Sequence, residues 1–180
     1  KEFMSRHGIP TARFVSCDTA EAARDAVRAA GLGLPVVVKA DGLAAGKGVV
    51  IAETIAEADE AIDAMMVRRS LGDAGQRVLV EQALRGREAS LIYFTDGEHL
   101  IAMPPAQDYK RIGDGDTGPN TGGMGTFSID GLIGDDVVRI VHDTIAEPTV
   151  RHMRLEGAPL SGMMFVGVML TDSGPKVLEY

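Results

Sequence analysis

In the first part of the chain, short apolar runs typical of strands take turns with apolar residues at helical spacing. Short apolar runs bounded by glycine, proline or aspartate predict β-strands at residues 13–17, 35–39 and 48–52. Apolar residues at helical spacing predict helices over residues 1–8, from Asp18 to Gly31 and from Thr54 to about Arg68. The two longer helices each begin with a capping box, Asp18 with Glu21 and Thr54 with Glu57. This order of elements predicts a small α/β lobe.

The second part of the chain returns to strands and a helix. Strands are predicted at residues 77–82, 87–95, 98–103, 162–171 and 175–180. A helix is predicted from Asp135 to about Glu156, and Pro148 is expected to kink or split it.

Residues 104–127 interrupt this pattern. They show no helical or strand period, and six glycines lie between positions 113 and 125, so we predict a long loop there. A breaker cluster at 72–76 precedes the second group of strands. We therefore predict two lobes, residues 1–80 and residues 81–180.

The composition narrows the class of protein. Hydrophobic residues make up 45% and charged residues 24% of the chain, as in an ordinary soluble globular protein. Aromatic residues make up only 4% and the formal net charge is -8, so we expect no nucleic-acid partner. The single cysteine, Cys17, cannot form a disulfide within the chain, which is typical of a reducing cytoplasm. No apolar stretch is long enough to span a membrane, and we expect a cytoplasmic monomer without a membrane partner.

A glycine-rich loop in KADGLAAGKGVV, residues 39–50, is the first candidate ligand site. Small residues let the backbone approach a polyphosphate closely, and a lysine in the loop adds positive charge. The glycines are Gly42, Gly46 and Gly48, and the lysine is Lys47. The spacing differs from that of a Walker A loop, in which four residues separate the glycines and Ser or Thr follows the lysine. A solvated hairpin is the alternative.

Lys39 closes the apolar strand that precedes this loop. A charge at the end of a buried strand is costly unless it is paired. A phosphate group would supply the opposite charge, so we predict that Lys39 binds phosphate together with the loop.

The segment VLVEQALRGREAS, residues 78–90, carries candidate nucleotide contacts. Glu81 follows an apolar strand, and Glu88 and Ser90 share one face of the next strand by the two-residue period. A carboxylate can accept hydrogen bonds from both ribose hydroxyls, and backbone groups near Glu81 and Ala83 are placed to read an adenine edge. Solvated glutamates beside a hairpin are the alternative.

The segment PPAQDYKRIGDGDTGPNTGGMG, residues 104–125, is the most specific signal. Its polar side chains lack the repeats seen in linkers: Asp108, Lys110, Arg111, Asp114, Asp116, Asn120 and Thr121. Such a loop can present backbone amides and cations to an acidic substrate, with disorder as the alternative.

Glu179 lies near the end of the last predicted strand. A carboxylate at this position is a candidate for holding Mg²⁺ against ATP phosphates. The alternative is a solvated strand-end glutamate.

KADGLAAGKGVV and QDYKRIGDGDTGPNTGGMG, in this order, resemble signatures of the glycinamide ribonucleotide synthetases, a family of the ATP-grasp superfamily. The resemblance covers nearly all of the chain. It implies an α+β ATP-grasp fold in which two α/β lobes hold the nucleotide between them. The implied nucleotide contacts are Lys39 and the loop around Lys47 for the phosphates, the hinge of Glu81, Gln82, Ala83 and Leu84 for adenine, and Glu88 for the ribose.

The same resemblance implies a reaction. The glycine carboxylate attacks the γ-phosphate of ATP to give glycyl phosphate, and the amine of 5-phosphoribosylamine then attacks that intermediate. Lysine and Mg²⁺ or Mn²⁺ would offset the repulsion between the two anions. Glu179 is the implied metal ligand. The candidate catalytic residues lie in the segment that the resemblance places near glycine: Asp108, Lys110, Arg111 and Asn120.

The chain also departs from the family pattern. In the family, an asparagine stands two residues after the metal-binding glutamate, whereas this sequence ends at Tyr180, directly after Glu179. The family's N-terminal glycine-rich domain and its C-terminal domain are absent too. We therefore expect a central piece of a longer protein, which binds nucleotide without completing catalysis. The alternatives are another ATP-grasp ligase, of the carboxylase or carboxyaminoimidazole type, and a nucleotide-binding module without catalysis.

Residues 1–180 on their own are expected to bind Mg-ATP weakly and not to turn it over. The nucleotide contacts Lys39 and Glu88 are present, whereas the metal-binding asparagine is missing. Calorimetric titration with Mg-ATP and an assay of glycine-dependent ADP release measure these two properties. Turnover that depends on both glycine and 5-phosphoribosylamine would contradict this expectation.

Overall fold

The computed structural model describes residues 1–44, 48–115 and 117–180, with the side chains of Pro119 and Asn120 left aside. The α-helices in this part of the chain are α1 (Glu2–Arg6), α2 (Ala20–Ala29), α3 (Ile55–Ile62), α4 (Asp135–Val141) and α5 (Glu147–Leu155). The strands are β1 (Phe14–Cys17), β2 (Val36–Ala40), β3 (Val49–Ala52), β4 (Val78–Gln82), β5 (Arg87–Thr95), β6 (Leu100–Ala102), β7 (Gln107–Gly113), β8 (Thr117–Phe127), β9 (Gly162–Thr171) and β10 (Gly174–Glu179). The mixture of helices with antiparallel sheets agrees with the predicted α+β class.

The elements belong to two units that interrupt each other along the chain. The first unit comprises Lys1–Thr11, Leu84–Tyr109 and Gly125–Tyr180. The second unit comprises Ala12–Ala83 and Lys110–Met124. The lobes predicted from the sequence, residues 1–80 and 81–180, are continuous segments, and that division stays a prediction.

A four-stranded antiparallel sheet in the order β1-β4-β2-β3 forms the centre of the second unit. Its helices α2 and α3 pack on one face, where the core includes Val36, Val38, Val78 and Val80. In the ladder between β2 and β4, Val37 is opposite Glu81 and Lys39 is opposite Leu79. Because side chains alternate along a strand, these four residues lie on the face that α2 and α3 do not cover.

Threonine side chains cap both helices of this unit. Thr19 Oγ1 accepts a hydrogen bond of 3.1 Å from the main-chain N–H three residues further on, so Thr19 is the N-cap of α2. The predicted capping box at Asp18 is wrong by one residue, because the Asp18 carboxylate instead lies 3.2 Å from Arg77 Nε. The predicted cap at Thr54 is confirmed, since Thr54 Oγ1 accepts a hydrogen bond of 3.2 Å from Glu57 N.

A second antiparallel sheet, in the order β10-β9-β5-β6, forms the centre of the first unit. Alternate residues of its strands form a core with residues of the helical segment 135–155, among them Val141, Ile145 and Val150. The strand residues in this core are Ala89, Leu91, Tyr93, Met164, Val166, Val168 and Val177. The intervening residues of β5, from Glu88 to Phe94, therefore lie on the other face.

The helical stretch that starts at Asp135 changes its winding just before Pro148. One π-helical turn, His142–Ala146, joins α4 to α5, and Pro148 lies in the first turn of α5. Proline cannot donate a main-chain hydrogen bond, and a widened turn is one of the ways in which a helix departs from regular winding. The helix predicted from Asp135 to about Glu156 is confirmed, and the expected irregularity near Pro148 is a change of winding in a continuous helical stretch.

Two strands, Gln107–Gly113 and Thr117–Phe127, lie where the sequence predicted a loop, and they are called the hairpin β7–β8 below. β7 and β8 pair as a two-stranded sheet, and no residue of β7 is buried. The hydroxyl of Thr121 donates a hydrogen bond of 2.8 Å to the Lys110 carbonyl and so links the two strands. The prediction of a long loop is wrong for these two strands, because strand ladders join main-chain groups and need no apolar period where neither face is buried.

Thr19→Ala is expected to lower the free energy of unfolding by about 1 kcal/mol, because the N-cap hydrogen bond of α2 is lost. Asp18→Ala is the matched control and should cost clearly less, because the Asp18 side chain is 81% exposed and forms a surface ion pair. Urea unfolding followed by circular dichroism measures both values. An equal or larger loss of unfolding free energy for Asp18→Ala would indicate that Asp18, and not Thr19, caps α2.

Candidate functional site

A buried ion pair lies on the sheet face of the second unit that α2 and α3 do not cover. Lys39 Nζ lies 3.3 Å from Glu81 Oε2. The Glu81 side chain is 2% exposed and the Lys39 side chain 16% exposed, so water screens this pair only slightly. Lys39 thus already has a partner of opposite charge in Glu81, which corrects the expectation from sequence that a phosphate is needed to pair it.

The pairing of β2 with β4 brings these two residues together. Val37 is directly opposite Glu81, which makes Lys39 the diagonal neighbour of Glu81, two residues further along β2. Diagonal neighbours in an antiparallel pair are within reach of long side chains. The sequence identified both residues as candidates, but their spacing along the chain carries no signal of strand pairing.

Gly42 and Gly48, at the two ends of the glycine-rich loop, pack closely against neighbouring residues. Gly42 N donates a hydrogen bond of 3.1 Å to the Ala74 carbonyl, and a Cβ at position 42 would lie 2.5 Å from Ala74 Cα. A Cβ at position 48 would lie 2.8 Å from Ala44 Cβ. Both glycines are thus required by packing at the base of the loop, whatever the loop binds.

The segment that precedes β4 anchors the base of the loop, a feature that sequence reasoning missed. Asp41 N donates a hydrogen bond of 3.0 Å to the Arg77 carbonyl, and Arg77 Nη1 lies 3.8 Å from Asp41 Oδ2. The cluster GDAGQ at 72–76 predicted only a turn, because none of its residue types signals a contact with the loop. Two predicted loop residues, Gly46 and Lys47, lie outside the described residues.

The predicted hinge, residues 81–84, contains two residues that are already engaged, Glu81 through its ion pair with Lys39 and Gln82 through Arg13. Gln82 N donates to the Arg13 carbonyl at 2.9 Å, and Arg13 Nε donates to Gln82 Oε1 at 3.4 Å. Within the described part of the chain, neither Ala83 nor Leu84 forms a main-chain hydrogen bond. The main-chain groups of Ala83 and Leu84 thus take no part in the main-chain hydrogen bonding of the described residues, whereas those of Gln82 hold β4 in place.

Glu88, Ser90 and Glu179 lie on one face of the sheet of the first unit. On β5, Glu88 is opposite Met169 of β9, and Ser90 is opposite Gly167 of β9. On the other side of β9, Gly167 is opposite Glu179 of β10. Opposite residues in an antiparallel pair share a face, so the shared face predicted for Glu88 and Ser90 is confirmed. The structure adds Glu179 to this face, and the adjacent side chain of Tyr180 points elsewhere.

Tyr180 is fixed on the side of the helices. Its hydroxyl lies 2.7 Å from Thr149 Oγ1, on α5. Burial raises the pKa of Tyr180, which keeps the phenol protonated as a hydrogen-bonding group. This contact fixes the end of β10, where Glu179 is an exposed residue.

The oxygen ligands on this sheet face could form only part of the coordination shell of a metal ion. Oxygen ligands are those that Mg²⁺ and Mn²⁺ prefer, and Mg²⁺ is commonly held by one or two carboxylates together with phosphates of a substrate. Over residues 1–44, 48–115 and 117–180, no group of three or more His, Cys, Asp or Glu side chains is placed to hold a metal ion. Glu179 therefore fits a metal site that a phosphate ligand would complete.

Three of the predicted catalytic residues lie on β7. Because successive side chains alternate, Asp108 and Lys110 share one face of the strand and Arg111 lies on the other. All three residues are partly buried. The main chain of Asn120 belongs to β8, and its side chain lies outside the described part of the structure.

Membrane-spanning helices need both sufficient length and a continuous apolar surface. The helices of the described residues are too short or too polar in every case.

Comparisons with known proteins place this chain among domains of one kind. A family described as phosphoribosylglycinamide synthetase, ATP-grasp (A) domain, matches residues 1–180. Proteins named phosphoribosylamine–glycine ligase, from Yersinia pestis and from Xanthomonas axonopodis pv. citri, are each 48% identical over 181 aligned positions. Each alignment covers 100% of this chain and 42% of the relative, so the chain spans less than half the length of these curated relatives.

Solved structures agree on the fold. The crystal structure of phosphoribosylamine–glycine ligase from Thermotoga maritima superposes with a TM-score of 0.90 at 34% identity, over 99% of this chain and 45% of that chain. A D-alanyl-alanine synthetase A from Vibrio cholerae superposes with a TM-score of 0.74 at 18% identity, over 99% of this chain and 51% of that chain, which is a likeness of fold alone. The predicted α+β fold of ATP-grasp type and the resemblance drawn from the sequence motifs are confirmed.

Lys39→Met is expected to lower the free energy of unfolding by about 3 kcal/mol, because it leaves the Glu81 carboxylate buried without its ammonium partner. Adding Glu81→Gln removes the buried charge, so the double variant should recover more than half of this loss. Denaturant unfolding of both variants measures the effect. If the double variant is no more stable than Lys39→Met, the pair does not account for the burial of Glu81.

Proposed function

Because this chain belongs to the family of phosphoribosylglycinamide synthetase ATP-grasp (A) domains, we propose that it supplies the ATP-binding part of a purine-pathway ligase. The parent protein would join glycine to 5-phosphoribosylamine and form a C–N bond at the expense of ATP. The observation that carries this proposal is the family match over residues 1–180, supported by relatives whose name, phosphoribosylamine–glycine ligase, describes this reaction. The cytoplasmic location and the monomeric state stay predictions from the sequence.

The phosphates of ATP are proposed to bind at Lys39 and the glycine-rich loop. The Lys39 ammonium lies 3.3 Å from Glu81 Oε2, and because an ammonium group carries three N–H donors, a phosphate oxygen is proposed as an additional acceptor. The close packing at Gly42 and Gly48 keeps the ends of the loop in place, so that its main chain can approach a polyphosphate. Gly46 and Lys47 are included in this site on the evidence of the sequence alone.

Adenine and ribose are proposed to bind along the hinge and the start of β5. Ala83 and Leu84 have main-chain groups to offer to the edge of adenine, whereas Glu81 and Gln82 hold the strand that presents them. Glu88 would accept hydrogen bonds from the two ribose hydroxyls, because one carboxylate can accept both. In this assignment Glu81 and Gln82, which already form contacts within the fold, position the strand, and Ala83 and Leu84 contact the base.

Glu179 is proposed to bind Mg²⁺ or Mn²⁺ together with ATP phosphates. A divalent cation would neutralise charge on the transferring phosphate when it is bound there. The chain's own contribution is an exposed carboxylate on the same sheet face as Glu88, at a strand end that Tyr180 fixes.

The hairpin β7–β8 is proposed to bind and orient the glycine carboxylate as it attacks ATP. An oxygen of the glycine carboxylate attacks the γ-phosphorus, the bond from that phosphorus to the β–γ bridging oxygen breaks, and glycyl phosphate and ADP form. Lys110 and Arg111 would offset the negative charge that gathers as the two anions meet. Asp108 and Asn120 are proposed to orient the amino acid. The amine of 5-phosphoribosylamine then attacks the acyl carbon, and inorganic phosphate leaves.

Lys39→Met in a Glu81→Gln background, made in the intact protein, tests the phosphate site without an unpaired buried charge. Loss of a charge-assisted phosphate contact should cost about 2–4 kcal/mol of transition-state stabilisation, which is about a hundredfold in kcat/KM for ATP. Steady-state assays of glycine-dependent ADP release measure this, with Glu81→Gln alone as the control and melting temperature as the check on folding. Unchanged kcat/KM for ATP in the folded double variant would refute the assignment.

A further inference from the structure

Gly167 occupies the middle of β9, between two residues that carry polar side chains. It is opposite Ser90 on β5 and opposite Glu179 on β10. The three positions form a row across the sheet, on the face that also carries Glu88. Glycine in the interior of a strand weakens it, so its presence in this row calls for a physical reason.

The main-chain conformation does not supply that reason, but the surrounding space does. Gly167 does not have a positive φ, so other residues can adopt its backbone angles. A Cβ at position 167 would lie 3.2 Å from Glu179 Cγ and 3.2 Å from Phe165 Cε1. Carbon atoms in good contact lie about 3.5–4.0 Å apart. The side chain of Glu179 therefore occupies the space above Gly167, and the ring of Phe165 closes that space from the side.

A β-bulge in β10 turns Glu179 toward this face. Val177 is opposite Val168, yet the next opposite pair is Glu179 with Gly167, so β10 advances two residues while β9 advances one. Val177 is fully buried in the core, and regular alternation would turn Glu179 to the core side as well. The extra residue, Leu178, reverses this direction, which is a known effect of bulges on the side chains that follow them.

Contacts on both sides of the bulge hold it in place. Val177 N donates a hydrogen bond of 2.8 Å to the Pro10 carbonyl, and Thr11 Oγ1 donates one of 2.7 Å to the Val177 carbonyl. Beyond the bulge, the Tyr180 hydroxyl bonds with Thr149. The direction of Glu179 is thus set by the main chain, and the space it needs is set by the absence of a side chain at 167.

We propose that Gly167 is a positioning residue, which lets the Glu179 carboxylate lie across the sheet toward Glu88 and Ser90, where a divalent cation bound with nucleotide would meet it. This inference rests on the proposed function in one respect, the assignment of Glu179 as the metal ligand. It adds that the position of this carboxylate depends on a residue that has no functional group of its own.

Gly167→Ala, Glu179→Gln and the combination of the two, made in the intact protein, test this inference. Mn²⁺ binding in the presence of a non-hydrolysable ATP analogue, followed by electron paramagnetic resonance, is the readout. Gly167→Ala should weaken Mn²⁺ binding about tenfold, the size of effect expected when a residue that orients a ligand is changed. Nucleotide affinity measured without metal should stay near the wild-type value. In the Glu179→Gln background, Gly167→Ala should cause no further loss, because the carboxylate it positions is gone.

Controls separate a local effect from damage to the strand. Met163→Ala changes an exposed residue of the same strand on the same face and should leave Mn²⁺ binding unchanged. If Gly167→Ala does not fold, Phe165→Leu is added, because it removes the ring atoms nearest to the new methyl group, and weakened Mn²⁺ binding is expected in that double variant.

Three outcomes would overturn the inference. Normal Mn²⁺ binding by Gly167→Ala, alongside weakened binding by Glu179→Gln, would refute the role of Gly167 and leave the metal assignment intact. An equal loss from Gly167→Ala with and without Glu179→Gln would show that the glycine acts on something other than this carboxylate. Normal binding by Glu179→Gln would refute the proposed metal ligand itself, and the positioning role with it.

Discussion

Lys39 and Glu81 carry opposite charges on one face of the sheet in the second unit. The stability of this unit and its candidate phosphate site therefore depend on the same two side chains. A carboxylate as deeply buried as that of Glu81 is tolerated because an ammonium group lies 3.3 Å away. The lysine, in turn, is held at the end of β2 beside the glycine-rich loop. A single substitution at either position is therefore expected to alter folding as well as any binding at this site, and paired substitutions are needed to separate the two effects.

Glycine serves two different physical needs around the candidate sites. At Gly42 and Gly167 the limit is space, because a methyl group would meet a neighbouring main chain in the first case and a side chain in the second. Gly75 shows the same limit, with a Cβ placed 2.5 Å from the Met65 carbonyl. At Gly115 and Gly123, on the hairpin β7–β8, positive φ angles require glycine instead. A glycine-rich sequence is thus a poor guide to which residues approach a ligand.

Patterns along the chain predicted those elements whose own residues determine them. β5 and β9 have the bounds expected from the sequence, 87–95 and 162–171, because each is a long run with one apolar face in the core. The hairpin β7–β8 was missed because neither strand buries a face. The partner of Lys39 and the bulge before Glu179 were missed because both depend on which strands pair, and pairing leaves no local trace in the sequence. The motif resemblance supplied the family and the candidate residues, while their contacts had to come from the fold.

The pairing of the N-terminal segment with β10 also constrains the order of folding. Thr11 forms a parallel bridge with Val177, so the first unit is closed by contacts between the two ends of this chain segment. The sheet β1-β4-β2-β3 needs only residues of the continuous stretch Ala12–Ala83. During synthesis that sheet can therefore form before the strands that share a core with Met4 of α1 have been made. The first unit, by contrast, needs residues from both Lys1–Thr11 and Gly125–Tyr180, so it can be completed only after β10 has been synthesised, and contacts between residues so far apart in sequence generally form slowly.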